Sequence, residues 1–377
     1  MGSIKISIIT VSYNAEKTIE QAIRSVISQK YDNVEYIIID GGSTDSTIEI
    51  IQSYSSNISF WISELDDGIY DAMNKGVCHA KGEVIAFLNS DDYYVDGALS
   101  AVANYFEQHE DVDILCGEVL IERNGILRTN RNPYEKKPEK LREGFMMYSH
   151  QGIFAKKECF ALHNNFDLKY KIAADYDWLL KMYNSGKNIQ YIPDIVAVFR
   201  FGGYSGSRPF QTTYEIREVA QQSAQALLRM EKISEKEYET LSDKIEKEIQ
   251  KRLIYTYSDV NIPIIGKIAI NDRVNKRKIS VFGAGALAVA VVKVLKRLSV
   301  QVDCCWDNDE NKWGMYIEGI PIKNPQDILD TDCCVIVASH HYEDEIVSQL
   351  KGMHLEEGTN FFYCEYIFEQ IETTGNS

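Results

Sequence analysis

The chain has 377 residues, 45% of them hydrophobic, which is enough for two domains with separate cores. Its formal net charge of −16 argues against a nucleic-acid partner, whose phosphates demand basic surface. The same acidity suits an enzyme that gathers carboxylates around a divalent cation, and equally a surface kept soluble by charge.

Strand and helix signals alternate through the first part. Residues 4–10 read as a buried strand. Residues 16–29 are amphipathic, with Ile19, Ala22, Ile23, Val26 and Ile27 at helical spacing. Residues 34–40 form a second apolar strand that stops at GGSTDST, where Ser43 or Thr44 is placed to cap the next helix. Spans 58–62, 70–80 and 83–88 continue the pattern as strand, helix and strand. This alternation predicts a largely parallel sheet covered by helices.

Beyond Asp92 the pattern loosens. A helix is expected over 98–106 and a hairpin over 114–128 with Gly125 at its turn. Residues 131–142 read as a mobile surface loop, and a helix is expected over 175–183. Residues 214–257 are charged and helical, either a connector or an extension packed on the first domain. From Lys278 a strand-glycine-helix unit, ISVFGAGALAVAVVKVLKRL, opens a small Rossmann-like domain, with Asp307 after its second strand. The expected organisation is thus 1–210, a helical connector 211–275, and 276–377.

The eight cysteines (78, 116, 159, 304, 305, 333, 334 and 364) form no C-x-x-C pair and lie mostly in apolar runs, so they read as core residues in a reducing compartment. No apolar stretch approaches the ~18 residues of a membrane span, and the N-terminal run is strand-like rather than a signal peptide. The expected location is cytoplasmic, with contact at the inner face of a membrane left open.

In an open parallel sheet, ligands bind beyond the carboxyl ends of the strands. Three such ends carry polar side chains: Thr10 to Asn14, Asp40 to Ser43, and Asn89 to Asp92. Adjacent carboxylates straight after an apolar strand are costly unless compensated, and a divalent cation is the obvious compensation. A simple turn at a strand end is the competing reading. Asp175 and Asp177 open a helix, where a carboxylate is favoured by the helix dipole and where Asp175 could equally be a cap.

Two long segments, TVSYNAEKTIEQAIRSVISQKYDNVEYIIIDGGSTDST and SELDDGIYDAMNKGVCHAKGEVIAFLNSDDYY, resemble the family 2 glycosyltransferases of GT-A fold. The likeness is closest to the branch that assembles bacterial surface polysaccharides and O-antigen, and it covers residues 4–204. It implies an inverting transferase using a nucleotide-diphosphate sugar, usually a UDP-sugar, with Mn²⁺ or Mg²⁺. Thr10 and Ser12 would lie beside the nucleoside, and Asp40 would accept from the base. Asp66, Asp71 and Asn74 would line the nucleotide pocket. The chain carries Asn89 where many relatives have Asp, which leaves Asp91 as the main metal ligand and Asp92 on ribose or metal. Asp175 would be the catalytic base. His150 would touch acceptor or diphosphate, or serve structure alone. The glycine-rich loop at 201–206 with Arg208 would fold over the diphosphate. The acceptor is expected to be a saccharide or lipid-linked saccharide.

Competing classes are a sugar-nucleotide modifying enzyme or nucleotidyltransferase, and a non-catalytic nucleotide-sugar scaffold. The C-terminal glycine turn leaves cofactor binding open, ranked below a structural, dimerising or partner-docking role.

Overall fold

Strand β1 (Ile6–Ser12) is buried along its whole length, as a central strand covered on both faces must be. The computed structural model describes residues 3–123, 125–129, 136–161, 165–259, 277–339 and 342–364. Beside β1 lie β2 (Val34–Asp40), then β3 (Phe60–Ser63), and on the other side β4 (Val84–Phe87), all parallel. Helices α1 (Ile19–Ile27), α2 (Thr47–Ser53) and α3 (Ile69–His79) make the crossovers. In α1 the buried residues are Ile19, Ala22, Ile23 and Val26, the helical stripe read from the sequence.

The chain continues through β5 (Tyr93–Tyr94), α4 (Ala98–Gln108), β6 (Ile114–Arg123), β7 (Ile126–Thr129) and β8 (Ile153–Lys156). The short α5 (Glu158–Ala161), then α6 (Ala174–Asn184) and β9 (Ile189–Arg200), follow. The sheet order is β3-β2-β1-β4-β8-β6-β9-β5, with β7 hairpinned on β6.

Four local expectations change. Strand β1 runs two residues further than expected, so Thr10 becomes an interior position. Helix α2 begins at Thr47, and neither Ser43 nor Thr44 caps it; Asp45 instead accepts from the Thr47 amide and hydroxyl. Of the predicted mobile loop, residues 131–135 lie outside the described residues. Lys136 is largely buried, donating to the Met147 carbonyl at 2.9 Å and pairing with Glu118 at 3.5 Å. Residues 138–143 form a 3₁₀ turn.

Helix α7 (Pro209–Arg229) buries Thr213, Ile216, Val219, Ala220, Ala224 and Leu227, and α8 (Glu235–Asp259) follows. One compact unit spans Met1–Ile245 and a second Glu246–Ser377. Helix α7 therefore falls within the first unit.

The second unit contains β10 (Lys278–Phe282), α9 (Ala286–Arg297), β11 (Val302–Trp306), β12 (Tyr316–Ile317), β13 (Ile320–Lys323), β14 (Cys333–Val337), α10 (Glu343–Gly352) and β15 (Phe361–Tyr363). Its sheet order is β12-β13-β11-β10-β14-β15, parallel except for the β12–β13 pair. All eight cysteines are free thiols, and all but Cys78 are buried. Among the described residues no helix is long and apolar enough to cross a membrane.

Candidate functional site

Three neighbouring strand ends meet in register, Ser12 on β1, Asp40 on β2 and Ser63 on β3. Asp40 is fully buried. Its Oδ1 accepts from the Ser12 hydroxyl (2.8 Å) and the Ser43 hydroxyl (2.6 Å). Its Oδ2 accepts from the Ser63 hydroxyl (2.7 Å) and the amides of Gly42 (3.1 Å) and Ser43 (2.8 Å). A carboxylate offers about four lone-pair sites, so protein donors already saturate this one. Asp40 holds the turn at 41–43, and a base could reach it only by displacing one of those donors. The expected free acceptor is a brace instead.

Thr10 departs further from expectation. It is fully buried and its Oγ1 accepts from the Tyr36 hydroxyl at 3.1 Å, so it lines the core rather than a nucleoside pocket. Asn74 is also redirected: its amide clamps Phe166 from both sides, donating to the carbonyl (2.9 Å) and accepting from the N–H (3.0 Å). Asp66 does face the turn. A Cβ at Gly41 would lie 2.6 Å from its Oδ2, so a side chain there would push the carboxylate aside. Burial pushes the Asp66 carboxyl above its ordinary value, the Gly68 N–H opposes this, and the charges of Asp71 and Asp40 add to it. Asp71 is paired with Lys75 at 3.3 Å.

Asp91 and Asp92, adjacent in sequence, have opposite surroundings. Asp92 is fully buried; its Oδ1 accepts from the Arg200 N–H (2.9 Å) and its Oδ2 from the Gln151 amide (2.5 Å). Burial, and then the Asp91 charge, hold its carboxyl well above the usual range. With one donor on each oxygen, Asp92 braces the turn between β4 and β5 against the end of β9. Asp91 is only partly buried, and burial raises its carboxyl too. The Arg200 guanidinium donates to its backbone carbonyl at 2.9 Å rather than to its carboxylate. Nearby in the chain, the Asn89 Oδ1 is buried without a partner. An amide oxygen and a carboxylate are oxygen donors of the kind a hard cation accepts, together with phosphate and water oxygens. Among the described residues no cluster of three or more His, Cys, Asp or Glu side chains could hold a metal alone.

Asp175 is the second residue of α6. Its Oδ1 accepts from the Tyr176 N–H (2.9 Å) and shares the single Tyr70 hydroxyl proton (3.0 Å) with the Ile172 carbonyl, while its Oδ2 lies 3.8 Å from His150 Nδ1. The helix cap is Ala173, without a side-chain bond, so Asp175 is not spent as a cap. His150 stacks on Phe87 with ring centroids 5.4 Å apart, and its Nε2 is buried without a partner. Burial lowers its pKa, partly offset by Asp175. Asp177 supports the helix through Lys181 at 2.6 Å.

The turn His150–Gly152 ties these parts together. His150 meets Asp175, and the next residue, Gln151, meets Asp92. The start of α6 is thereby linked to the end of β4. The glycine-rich loop reaches the same place: a Cβ at Gly203 would sit 2.9 Å from Asp91 Oδ2. Arg208 is exposed, its guanidinium 3.9 Å over the Tyr204 ring. Sequence reasoning missed Tyr70, Gln151 and Arg200. Tyr70 stood inside a segment that carries the family resemblance and Gln151 beside His150 in another, whereas no local signal marked Arg200.

In the second unit, Gly283 has φ +125 and its Cβ position would fall 2.4 Å from the Ala338 carbonyl. That glycine is required by packing between β10 and β14. Asp307 is bonded to Lys312 and to the Asp309 N–H, so it is not a free ribose acceptor.

Residues 7–161 match Glycosyl transferase family 2, and residues 275–359 match C2185-like, N-terminal. An uncharacterised glycosyltransferase of Mycobacterium tuberculosis is 32% identical over 178 residues, covering 47% of this chain and 68% of the relative. A PGL/p-HBAD biosynthesis glycosyltransferase of Mycobacterium bovis is 28% identical over 218 residues, covering 55% and 81%. The crystal structure of S. aureus TarS 1-349 in complex with UDP-GlcNAc is similar in fold, with a TM-score of 0.54 at 19% identity, covering 68% of this chain and 80% of that one.

Proposed function

The chain belongs to glycosyl transferase family 2, and on that footing we propose that it moves a hexosyl or N-acetylhexosaminyl group, with inversion, from a UDP-sugar to a saccharide hydroxyl. The acceptor is a saccharide or lipid-linked saccharide of polysaccharide or O-antigen assembly, met in the cytoplasm at the inner face of the membrane. The observation that carries this reading is the His150–Gly152 turn, which brings His150 within 3.8 Å of the Asp175 carboxylate and bonds Gln151 to Asp92, the residue after Asp91.

The chain's residues divide the work. The saturated Asp40 carboxylate holds the 41–43 turn rigid, and Asp66 and Asp71 present carboxylates to the donor's polar edges. Asp91, with the Asn89 amide oxygen, would hold Mn²⁺ or Mg²⁺; when bound, the cation would neutralise charge growing on the leaving diphosphate. Asp175 Oδ2, free of protein donors, takes the proton of the acceptor hydroxyl as its oxygen bonds to the anomeric carbon. The bond from that carbon to the diphosphate oxygen breaks, and its electron pair leaves with the nucleoside diphosphate. Arg208 and the 201–206 loop close over the diphosphate and exclude water.

A nucleotidyltransferase reading lacks support, because the segment after β1 is no basic glycine-rich loop. Asn14 and Glu16 there accept from the backbone of Thr44 and Ser46. We assign the second unit to docking or self-association, given the packing role of Gly283 and the bonded state of Asp307. The test is a panel of nucleotide sugars assayed for Mn²⁺-dependent hydrolysis. Release of nucleoside diphosphate from one or a few UDP-sugars supports the proposal, and silence across the panel rejects it.

A further inference from the structure

We infer that Glu215, on α7, is a positioning residue for the transfer base. The inference rests on the reading of Asp175 as that base. Glu215 lies outside the matched segment 7–161 and in the span 211–275 that the sequence reads as a helical connector.

The geometry is specific. Glu215 Oε2 accepts two successive backbone amides, from Ile172 at 2.7 Å and Ala173 at 3.0 Å. These residues lead directly into α6, two positions before Asp175. The carbonyl of Ile172 accepts from the Tyr70 hydroxyl at 2.5 Å, and that hydroxyl also lies 3.0 Å from Asp175 Oδ1. The strand of chain carrying the base is thus held by a carboxylate on its N–H side and by a phenol on its carbonyl side. Glu215 is itself fixed, since its Oε1 accepts from Gln211 at 2.9 Å. Further along α7, Ser223 accepts from Asn184 (2.8 Å) and Gln222 from Tyr170 (3.1 Å). Helix α7 therefore grips α6 at both ends.

These bonds do not touch donor, cation or acceptor. Their consequence is where Asp175 Oδ2 points. Effective catalysis needs the proton acceptor within a few tenths of an ångström of its working position, and a 1 Å displacement can cost about a hundredfold. A carboxylate accepting two amides is a charge-assisted clamp, stronger than the neutral equivalent. Loss of the clamp should lower the rate of the chemical step and leave donor binding alone.

The experiment compares Glu215→Ala, Glu215→Gln and Glu215→Asp with the wild type and Asp175→Asn, in the full chain. It measures kcat, donor KM, UDP affinity and thermal stability for each. Glu215→Ala should lose roughly 10–100-fold in kcat, with donor KM and UDP affinity within about twofold. Glu215→Gln, whose carbonyl oxygen can still accept both amides, should recover to within about threefold of wild type. Glu215→Asp keeps the charge but falls short, so it should be impaired in kcat while folded, even if the alanine variant is not. Unchanged kcat in Glu215→Ala or Glu215→Asp overturns the inference, and so does a loss in Glu215→Gln equal to that in alanine. A defect confined to donor KM does the same. If Asp175→Asn transfers at the wild-type rate, the base assignment falls and this inference with it. If Asp175→Asn is inactive and Glu215→Ala is fully active, this inference alone falls.

Discussion

His150 Nδ1 stands 3.8 Å from Asp175 Oδ2, too far for a hydrogen bond and close enough for the Asp175 charge to oppose the lowering of the histidine pKa by burial. The other oxygen of the same carboxylate is bonded to Tyr70. The carboxylate is thus anchored on one side and open on the other, as a proton acceptor needs to be.

The first prediction concerns that histidine. Burial lowers the His150 pKa, so the folded protein resists its protonation. Its favourable contribution to stability is complete above about 6.5, the usual histidine value, and is lost as pH falls below that toward the folded value. Thermal melts of wild type and His150→Gln between pH 8 and 5 should show the wild type losing stability more steeply below pH 6.5. The variant's extra resistance at pH 5 should reach at least ~2 °C. Parallel curves would show that His150 is not held neutral.

The second prediction separates Asp91 from Asp92. Removing Asp92 strands two buried donors, the Gln151 amide and the Arg200 N–H, at about 1–3 kcal/mol each. Asp92→Ala should therefore lower Tm by roughly 5–20 °C, and Asp92→Asn by less, because the native carboxyl already favours its neutral form. Asp91→Asn should leave Tm almost unchanged and abolish Mn²⁺-enhanced UDP binding, with turnover down roughly 10²–10³. Calorimetry with and without Mn²⁺ checks both. Equal effects on Tm and cation response from the two positions would refute the division.

The third prediction addresses the loop. A methyl at Gly203 would press on Asp91 Oδ2 at 2.9 Å. Gly203→Ala should therefore weaken the cation dependence of donor binding without unfolding the protein. Arg208→Ala, at an exposed position, should raise donor KM about tenfold, near 1.4 kcal/mol, with no change in Tm. An Arg208→Ala enzyme with normal donor affinity and turnover would remove the lid from the account.

Much of this arrangement was legible in order of sequence because strand ends announce themselves. Apolar runs over 4–10, 34–40 and 83–88, each followed by polar residues, pointed to three carboxyl ends on one edge of the sheet. The departures have physical causes. Because β1 runs on to Ser12, Thr10 lies two residues inside the strand end on the same face as Ser12, deep enough to meet Tyr36 in the core. Asn74 and Asp40 are polar residues in the right place whose bonding capacity the fold had already used. Those partners, Phe166 and Ser63, are far off in sequence and carry no local signal. Glu215 was invisible for the same reason: its bonds to Ile172 and Ala173 cross more than forty residues.

The central claim is that Asp175 accepts the proton in the transfer step. The direct measurement is donor binding and sugar transfer in Asp175→Asn, with the UDP-sugar that the wild type consumes. The account predicts donor affinity within about twofold of wild type and transfer reduced by roughly 10²–10⁴. Transfer at the wild-type rate would contradict it.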